Sequence, residues 1–363
     1  MRILFIEPRF HTNQTHWVKK LINEGHQVLM HVTNIGLTED HSIIIPELQE
    51  PCLFSKLINN FFFSSNINNS RNFPNPFKYF VNIYNLKPDI IIVRDINRPL
   101  SLIGAICGRI LSKKIIIYSQ TEIYKFYSYK RKFIFSAIIN LFKASWISPL
   151  TGNKKDFDYK PKKMFFIPFS VKIRRDSTEN VNKKKLNILM IGKFEKRKNH
   201  ILLLKALLNI HEEYKLTIVG EVTNDAHKKQ TNIIENFIED NNLNERVTIK
   251  KNILFSDIEK YYKISDFFIL PSTREPASIS VVEALGMGLP TICSNTNGTR
   301  CYIREGETGY TFLDNSIEDL EKKIRLMLNR DTLKNMKRKI REDNDPIYSS
   351  NYFYKCFFNL LKG

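Results

Sequence analysis

The sequence predicts an α/β protein built from two doubly wound parallel-sheet domains, and three observations carry that expectation. Residues 2–32 read as strand, helix, strand; the same order restarts at residue 186; and between them residues 172–185 run polar, charged and without periodicity, as a linker does. With 363 residues, 42% hydrophobic and 12% aromatic, the chain can bury two cores. The expected division is a first domain at 1–170, a linker at 171–185, a second domain at 186–345, and a terminal helix at 346–363 that crosses back to the first.

The first strand, residues 2–6, is apolar and ends at Glu7-Pro8. Helical spacing runs from Trp17 to Glu24, and Gly25 stops it before a second strand that reaches Val32. The turn between them, residues 8–14, holds no glycine, so it is not a dinucleotide fingerprint and an NAD-dependent enzyme loses its main support. Residues 34–80 predict an irregular region with short helices facing an acceptor, residues 59–70 being the least periodic. Residues 87–95 predict a buried parallel strand with Arg94 and Asp95 at its carboxyl end, where doubly wound folds keep functional groups; a purely structural ion pair fits equally well. A helix at 100–111 and a strand at 114–119 lead to Gln120 and Glu122. Residues 133–150 predict a core helix running into a strand, with a membrane span as the lesser alternative, because Asn140, Lys143 and three serines break the apolar run.

In the second half a strand at 186–192 opens onto a cationic turn, and Asn199 is placed to cap a helix from 201 to about 212. A strand and turn at 215–221, a helix at 232–240 and a strand at 246–250 follow. Ser256 and Glu259 read as a capping box for the helix that leads to Asp266. Residues 266–292 organise this half: an apolar strand ends at Pro271, Ser278 caps a helix whose apolar face is Ile279, Val282 and Leu285, and Gly288 and Pro290 stop it before the next strand. The N–H groups of residues 277–280 then point off the carboxyl edge of the sheet, where a phosphate would sit. Helices are expected at 317–336 and 347–361.

Glu275 and Glu283 bracket that turn. Were the interval helical they would stand about 12 Å apart at about 1.5 Å per residue, beyond the roughly 5–9.5 Å of a paired-carboxylate glycosidase. They read as two separate grips on one long ligand.

The pattern Pro271-Ser272, Glu275, Glu283-Ala-Leu-Gly-Met-Gly288-Leu-Pro290 resembles the donor-site motif of retaining GT-B glycosyltransferases of the family 4 type, the glycosyl transferases group 1. The resemblance implies the GT-B fold, two Rossmann-like domains facing a cleft. It implies transfer of a sugar from a UDP- or GDP-linked nucleotide-sugar, with no metal and no cofactor beyond that co-substrate. Glu275 would meet the transferred sugar, Glu283 the ribose, and the amides of Ala277, Ser278, Ile279 and Ser280 the diphosphate and sugar. Gly192 with Lys193 and Lys198 is similar to the family's Gly-Arg and Lys segment, whose cations bind the diphosphate. Lys193 keeps the charge of that Arg without its bidentate fork, and Arg197 could take the missing group's place. Such cations stabilise the departing nucleoside diphosphate. Asn252 and Ile253 stand where relatives make backbone contacts to the base. On the acceptor or cleft side, His11 and Asn13 replace a Gly-rich turn, Gln120 stands where relatives carry a His, and Asp95 and Glu122 join them. Pro276-Ala277-Ser278 replaces the commoner Gly-Phe-Gly, which leaves the sugar open, and residues 295–299 occupy a Gly-Gly turn that approaches the diphosphate.

The formal net charge is +19; residues 1–165 hold 23 Lys and Arg against 11 Asp and Glu, and the remainder 33 against 26. That surplus fits nucleic acid, an anionic membrane or phosphorylated substrates. No zinc-finger spacing or RNP-like aromatic motif accompanies it, so no nucleic-acid partner is expected. Residues 125–135 interleave basic and aromatic side chains, as a lipid headgroup layer or ordinary snorkelling on a surface helix would allow. The five cysteines form no C-x-x-C pair, which suggests reduced thiols and no zinc site. The expectation is a cytoplasmic enzyme, peripheral on the inner face of the membrane, that glycosylates a glycan or polyprenyl-diphosphate-linked acceptor for a surface polysaccharide such as O-antigen or capsule. A nucleotide-sugar epimerase or hydrolase on the same fold, and a non-enzymatic basic nucleic-acid- or membrane-binding protein, remain the rivals.

Overall fold

The computed structural model describes residues 1–35, 41–62, 71–125, 127–152, 161–174 and 185–362. They form two units, Met1–Ser170 with Ser350–Gly363, and Val171–Ser349. Most of the expected linker lies outside the described residues. Its first residues belong to the second unit, where the Val171 N–H donates to the Tyr348 carbonyl at 3.1 Å and that of Arg174 to Gly286 at 2.8 Å.

The first unit holds β1 (Arg2–Glu7), β2 (Gln27–Val32), β3 (Glu47–Leu48), β4 (Ile90–Arg94), β5 (Lys114–Tyr118), β6 (Ser145–Ser148) and β7 (Met164–Phe166). They lie in the order β3-β2-β1-β4-β5-β6-β7, all pairs parallel. Strands β1, β4 and β5 are nearly continuous apolar runs because helices cover both of their faces. On one face the helices Pro76–Leu86, Pro99–Ile110 and Tyr129–Phe142 bring Ile83, Ala105 and Phe135 onto Leu4, Ile91 and Ile117. On the other, Thr15–Asn23 and the terminal helix Ser350–Lys362 bring Trp17, Phe353 and Phe357 onto Phe5, Ile92 and Ile116. The Trp17 and Phe353 rings stack at 5.0 Å, and the indole N–H donates to the Pro168 carbonyl at 2.8 Å.

Part of the stretch expected to be irregular is ordered, as β3 and the helix Leu53–Phe62; residues 63–70 lie outside the described residues. The apolar run at 133–150 divides into the helix Tyr129–Phe142 and β6. Among the described residues no helix is long and apolar enough to cross a membrane.

The second unit holds β8 (Leu186–Ile191), β9 (Tyr214–Gly220), β10 (Val247–Lys251), β11 (Phe267–Leu270), β12 (Thr291–Ser294) and β13 (Gly309–Phe312), in the parallel order β10-β9-β8-β11-β12-β13. Two cap expectations and one helix boundary are corrected here. Asn199 precedes the helix His200–Leu208 in a left-handed conformation with no capping bond, its amide donating to Asn315 Oδ1 at 3.2 Å. The helix Phe255–Ile264 starts after Leu254, and Glu259 of the supposed capping box pairs with Lys172 at 2.7 Å and Lys263 at 2.6 Å. The single helix expected at 317–336 is two, Ile317–Leu328 and Arg330–Glu342, because Asn329 turns extended and caps the second through Thr332 N–H at 2.9 Å.

Candidate functional site

Strand β11 is buried throughout and delivers the loop 271–278 to the carboxyl edge of the second sheet. The following helix, Ile279–Gly286, begins four residues after Glu275, and Arg274 has a left-handed φ of 45°. Glu275 therefore sits in a loop, and the helical spacing assumed for the two carboxylates does not apply. Two backbone bonds fix that loop: Thr273 N–H donates to the Arg197 carbonyl at 2.8 Å, and Gly298 N–H to the Glu275 carbonyl at 2.9 Å.

The Glu275 side chain is buried and carries two cations. Lys198 Nζ lies 2.5 Å from Oε2, and Arg197 donates to the same oxygen while its Nε bonds Glu195 at 2.7 Å. Burial acts to raise the Glu275 pKa, but the Lys198 charge and the bonds from Arg197 and Lys198 outweigh it and hold the carboxyl below its usual range. Burial pulls the Lys198 ammonium below the usual lysine value, with Glu275 opposing. Lys193 is not part of this group; it is half exposed and pairs with Glu221 at 3.1 Å. Arg197, in the same turn, is the second cation at Glu275.

Gly192 follows β8 with its N–H donating to the Val219 carbonyl at 3.0 Å. The neighbouring turn approaches so closely that a Cβ on Gly220 would lie 2.5 Å from the Phe194 ring and 2.7 Å from the Gly192 carbonyl. Glu283, on the helix, accepts from the Tyr262 hydroxyl at 2.9 Å. Burial raises its pKa, the tyrosine bond opposing. Ser278 occupies the cap position with an extended backbone, yet its hydroxyl pairs with that of Ser280 at 2.9 Å instead of capping the helix. The N–H groups of the first turn thus take no bond from the Ser278 side chain, and a helix start of this kind is one that an anion can occupy. Asn252 braces two turns at this edge of the sheet. Its N–H is taken by the Gly220 carbonyl at 2.9 Å, and its side chain clasps Val222 through Oδ1 at 2.8 Å, tying the β10 turn to the β9 turn. Ile253 packs against the core.

In the first unit, His11 precedes the short helix Thr12–Gln14, and Asn13 lies within it. Asp95 follows β4 with a left-handed φ of 52° and its N–H on the Tyr118 carbonyl at 2.9 Å. Gln120 and Glu122 follow β5; the Glu122 carboxylate lies 3.9 Å from Lys125 Nζ. Sequence reasoning passed over Glu7. Buried at the carboxyl end of β1, it faces Arg94 at 3.5 Å and the Gln14 amide, and burial pushes its pKa to about 8, with Arg94 opposing. A lone acid closing an apolar strand was the available signal. Also missed was His200, buried on the Phe194 ring at 5.3 Å and held to about 3 by burial and the Lys198 charge.

Residues 172–343 match the family described as glycosyl transferases group 1. That match spans the second unit, Val171–Ser349, nearly from end to end. Over its whole length the chain is similar in fold to a glycosyltransferase from Rickettsia africae, at a TM-score of 0.77 and 20% identity, covering 100% of this chain and 99% of that one. It is similar too to Anabaena Alr3699/HepE solved with UDP, at 0.75 and 14% identity, with 100% of each chain covered. Both sheets thus belong to a GT-B fold. Among curated relatives, an N-acetylgalactosaminyltransferase of Campylobacter jejuni, named for a diphospho-undecaprenol-linked glycan, is 27% identical over 217 residues, 55% of this chain and 57% of that protein. The chain spans about half the length, or less, of the curated relatives it matches.

Proposed function

We propose that the protein is a retaining hexosyltransferase that takes a sugar from a UDP- or GDP-linked donor, without a metal, and places it on a glycan or polyprenyl-diphosphate-linked acceptor. The observation that carries this reading is Glu275 held ionised by Lys198 and Arg197 beside an uncapped helix start, with Glu283 on that same helix. The relatives add the chemistry of their own ligands, UDP for one and a lipid diphosphate for another.

In this reading Glu275 accepts hydroxyl hydrogen bonds from the transferred sugar, and Glu283, steadied by Tyr262, accepts those of the ribose. The diphosphate lies at the N–H groups of 277–280 with Lys198, Arg197 and Lys193 near its charge. The acceptor oxygen bonds to the anomeric carbon on the face that the leaving group departs from. The bond from that carbon to the phosphate oxygen breaks, and the leaving diphosphate takes the acceptor proton. The work belongs to assembly of a surface polysaccharide, O-antigen or capsule, on the cytoplasmic face of a membrane.

Thermal stabilisation by a panel of UDP-, GDP- and ADP-sugars without added metal tests this. A shift of several degrees with one nucleotide, lost in Glu283→Ala, is expected. No shift in a folded sample with any of them would refute it.

A further inference from the structure

Three helices of the first unit, Pro76–Leu86, Pro99–Ile110 and Tyr129–Phe142, cover one face of its sheet side by side, with the middle one touching both others. Arg109 of the middle helix donates to the Leu141 carbonyl of the third at 3.2 Å. Their inner sides are core. Their outer sides expose large apolar groups: Phe77 is 76% exposed, Tyr84 58%, Ile110 63%, Tyr129 87%, Phe133 67% and Leu141 67%.

None of the three helices contains Asp or Glu, while they carry Lys78, Arg109, Lys130, Arg131 and Lys132. The two helices on the opposite face of this sheet, Thr15–Asn23 and Ser350–Lys362, are free of acids too, but of their large apolar side chains only Ile22, 38% exposed, reaches the surface. The three helices thus stand apart by joining cations to an exposed apolar surface. In the second unit the helices Ile317–Leu328 and Arg330–Glu342 mix both signs, and their cations pair with carboxylates, as Arg325 with Glu321 at 2.9 Å and Lys339 with Glu307 of a neighbouring turn at 3.3 Å. The carboxylate that reaches the first helix, Glu47, accepts from Asn82 at 3.2 Å and Gln49 at 2.9 Å and lies 3.4 Å from His31. The preceding helix, Leu53–Phe62, is likewise free of acids and exposes Leu53, Phe54 and Phe61.

We propose that the outer face of these three helices docks on an anionic lipid bilayer. Aromatic and aliphatic side chains sink to the boundary between headgroups and acyl chains, while the lysines and arginines meet lipid phosphates in the same plane. A nucleic acid would use the cations but leave Phe133, Leu141 and Ile110 in water. Acid-free helices suit a partner of uniform negative charge. The inference rests on the lipid-linked acceptor of the proposed function for its purpose, but lipid binding is measured apart from turnover.

Flotation of the full chain with vesicles of phosphatidylcholine alone, and of phosphatidylcholine with about one third phosphatidylglycerol, tests it. Co-flotation with the anionic vesicles only is expected. The exposed-site variants Phe133→Ser with Leu141→Ser, and Lys130→Glu with Arg131→Glu, should each weaken it about tenfold or more, with unchanged melting and unchanged stabilisation by nucleotide-sugar. Lys334→Glu with Arg338→Glu, on the second unit, should change nothing. No flotation of the full chain, equal capture by neutral vesicles, or flotation indifferent to both helix variants would overturn the docking surface. Flotation with no response to any nucleotide-sugar would support the surface and defeat the glycosyltransferase reading instead.

Discussion

Glu275→Gln should destabilise the second unit, because it leaves the Lys198 ammonium, 7% exposed, without a counter-charge. Removing one partner of a buried ion pair costs about 3–5 kcal/mol. Arg197 contributes little to that sum, since its side chain is 41% exposed and regains water and Glu195. The expectation is therefore about 3 kcal/mol, the lower end of that range. In a unit of this size each kcal/mol moves Tm by about 2–4 °C, so the calorimetric transition should fall by about 6–12 °C. Lys198→Met in the Glu275→Gln background removes the stranded charge and should recover more than half of the loss. The pH dependence supplies a second check. Glu275 titrates below its unfolded value, so its contribution is present above about pH 4.3 and disappears as pH falls through the folded pKa; the Gln variant should lack that acid-side loss. A Glu275→Gln protein within about 1 kcal/mol of the parent, or a double variant whose losses simply add, would refute the argument.

Glu7 gives the opposite sign. Its carboxyl, at about 8, keeps a proton that the unfolded chain has released, so stability of the first unit should fall as pH rises from about 5 to 8. Glu7→Gln should flatten that slope in urea melts taken across the range. Gly220→Ala would push a methyl into the Phe194 ring and the Gly192 carbonyl, costing about 1–3 kcal/mol and weakening stabilisation by nucleotide-sugar. Tyr262→Phe removes the hydroxyl from Glu283 and should raise the donor KM about three- to tenfold with little change in kcat. Trp17→Ala empties the stack under the terminal helix and should cost about 3–5 kcal/mol by denaturant titration.

Both sheets were legible because their central strands are apolar runs buried on two faces, a pattern that polar loops cannot imitate. The helix at Ile279–Gly286 was legible from its stops and spacing. Caps were not. A side chain such as Asn199 or Ser256 declares what it can bond locally, but Asn315, remote in sequence, takes the Asn199 amide, and a helix that already starts after Leu254 leaves Ser256 inside it. Glu275 and Glu283 stood out in the sequence by their motif, whereas the choice of Arg197 over Lys193 at Glu275 depends on how one turn folds back on another. Glu7 escaped because one acid at a strand end has no periodicity to betray it.

The terminal helix has a consequence for the order in which the chain assembles. The partner on which the Trp17 ring stacks, Phe353, is joined to the chain only after the whole of residues 171–349 has been made. On a ribosome, the sheet that begins at Arg2 must wait with one side of Phe5, Ile92 and Ile116 lacking part of its cover, while the intervening unit, contiguous in sequence, has every residue it needs to close first. Vectorial synthesis thus finishes last the half that it started first, and a nascent chain stalled before Ser350 would present that unfinished side to chaperones.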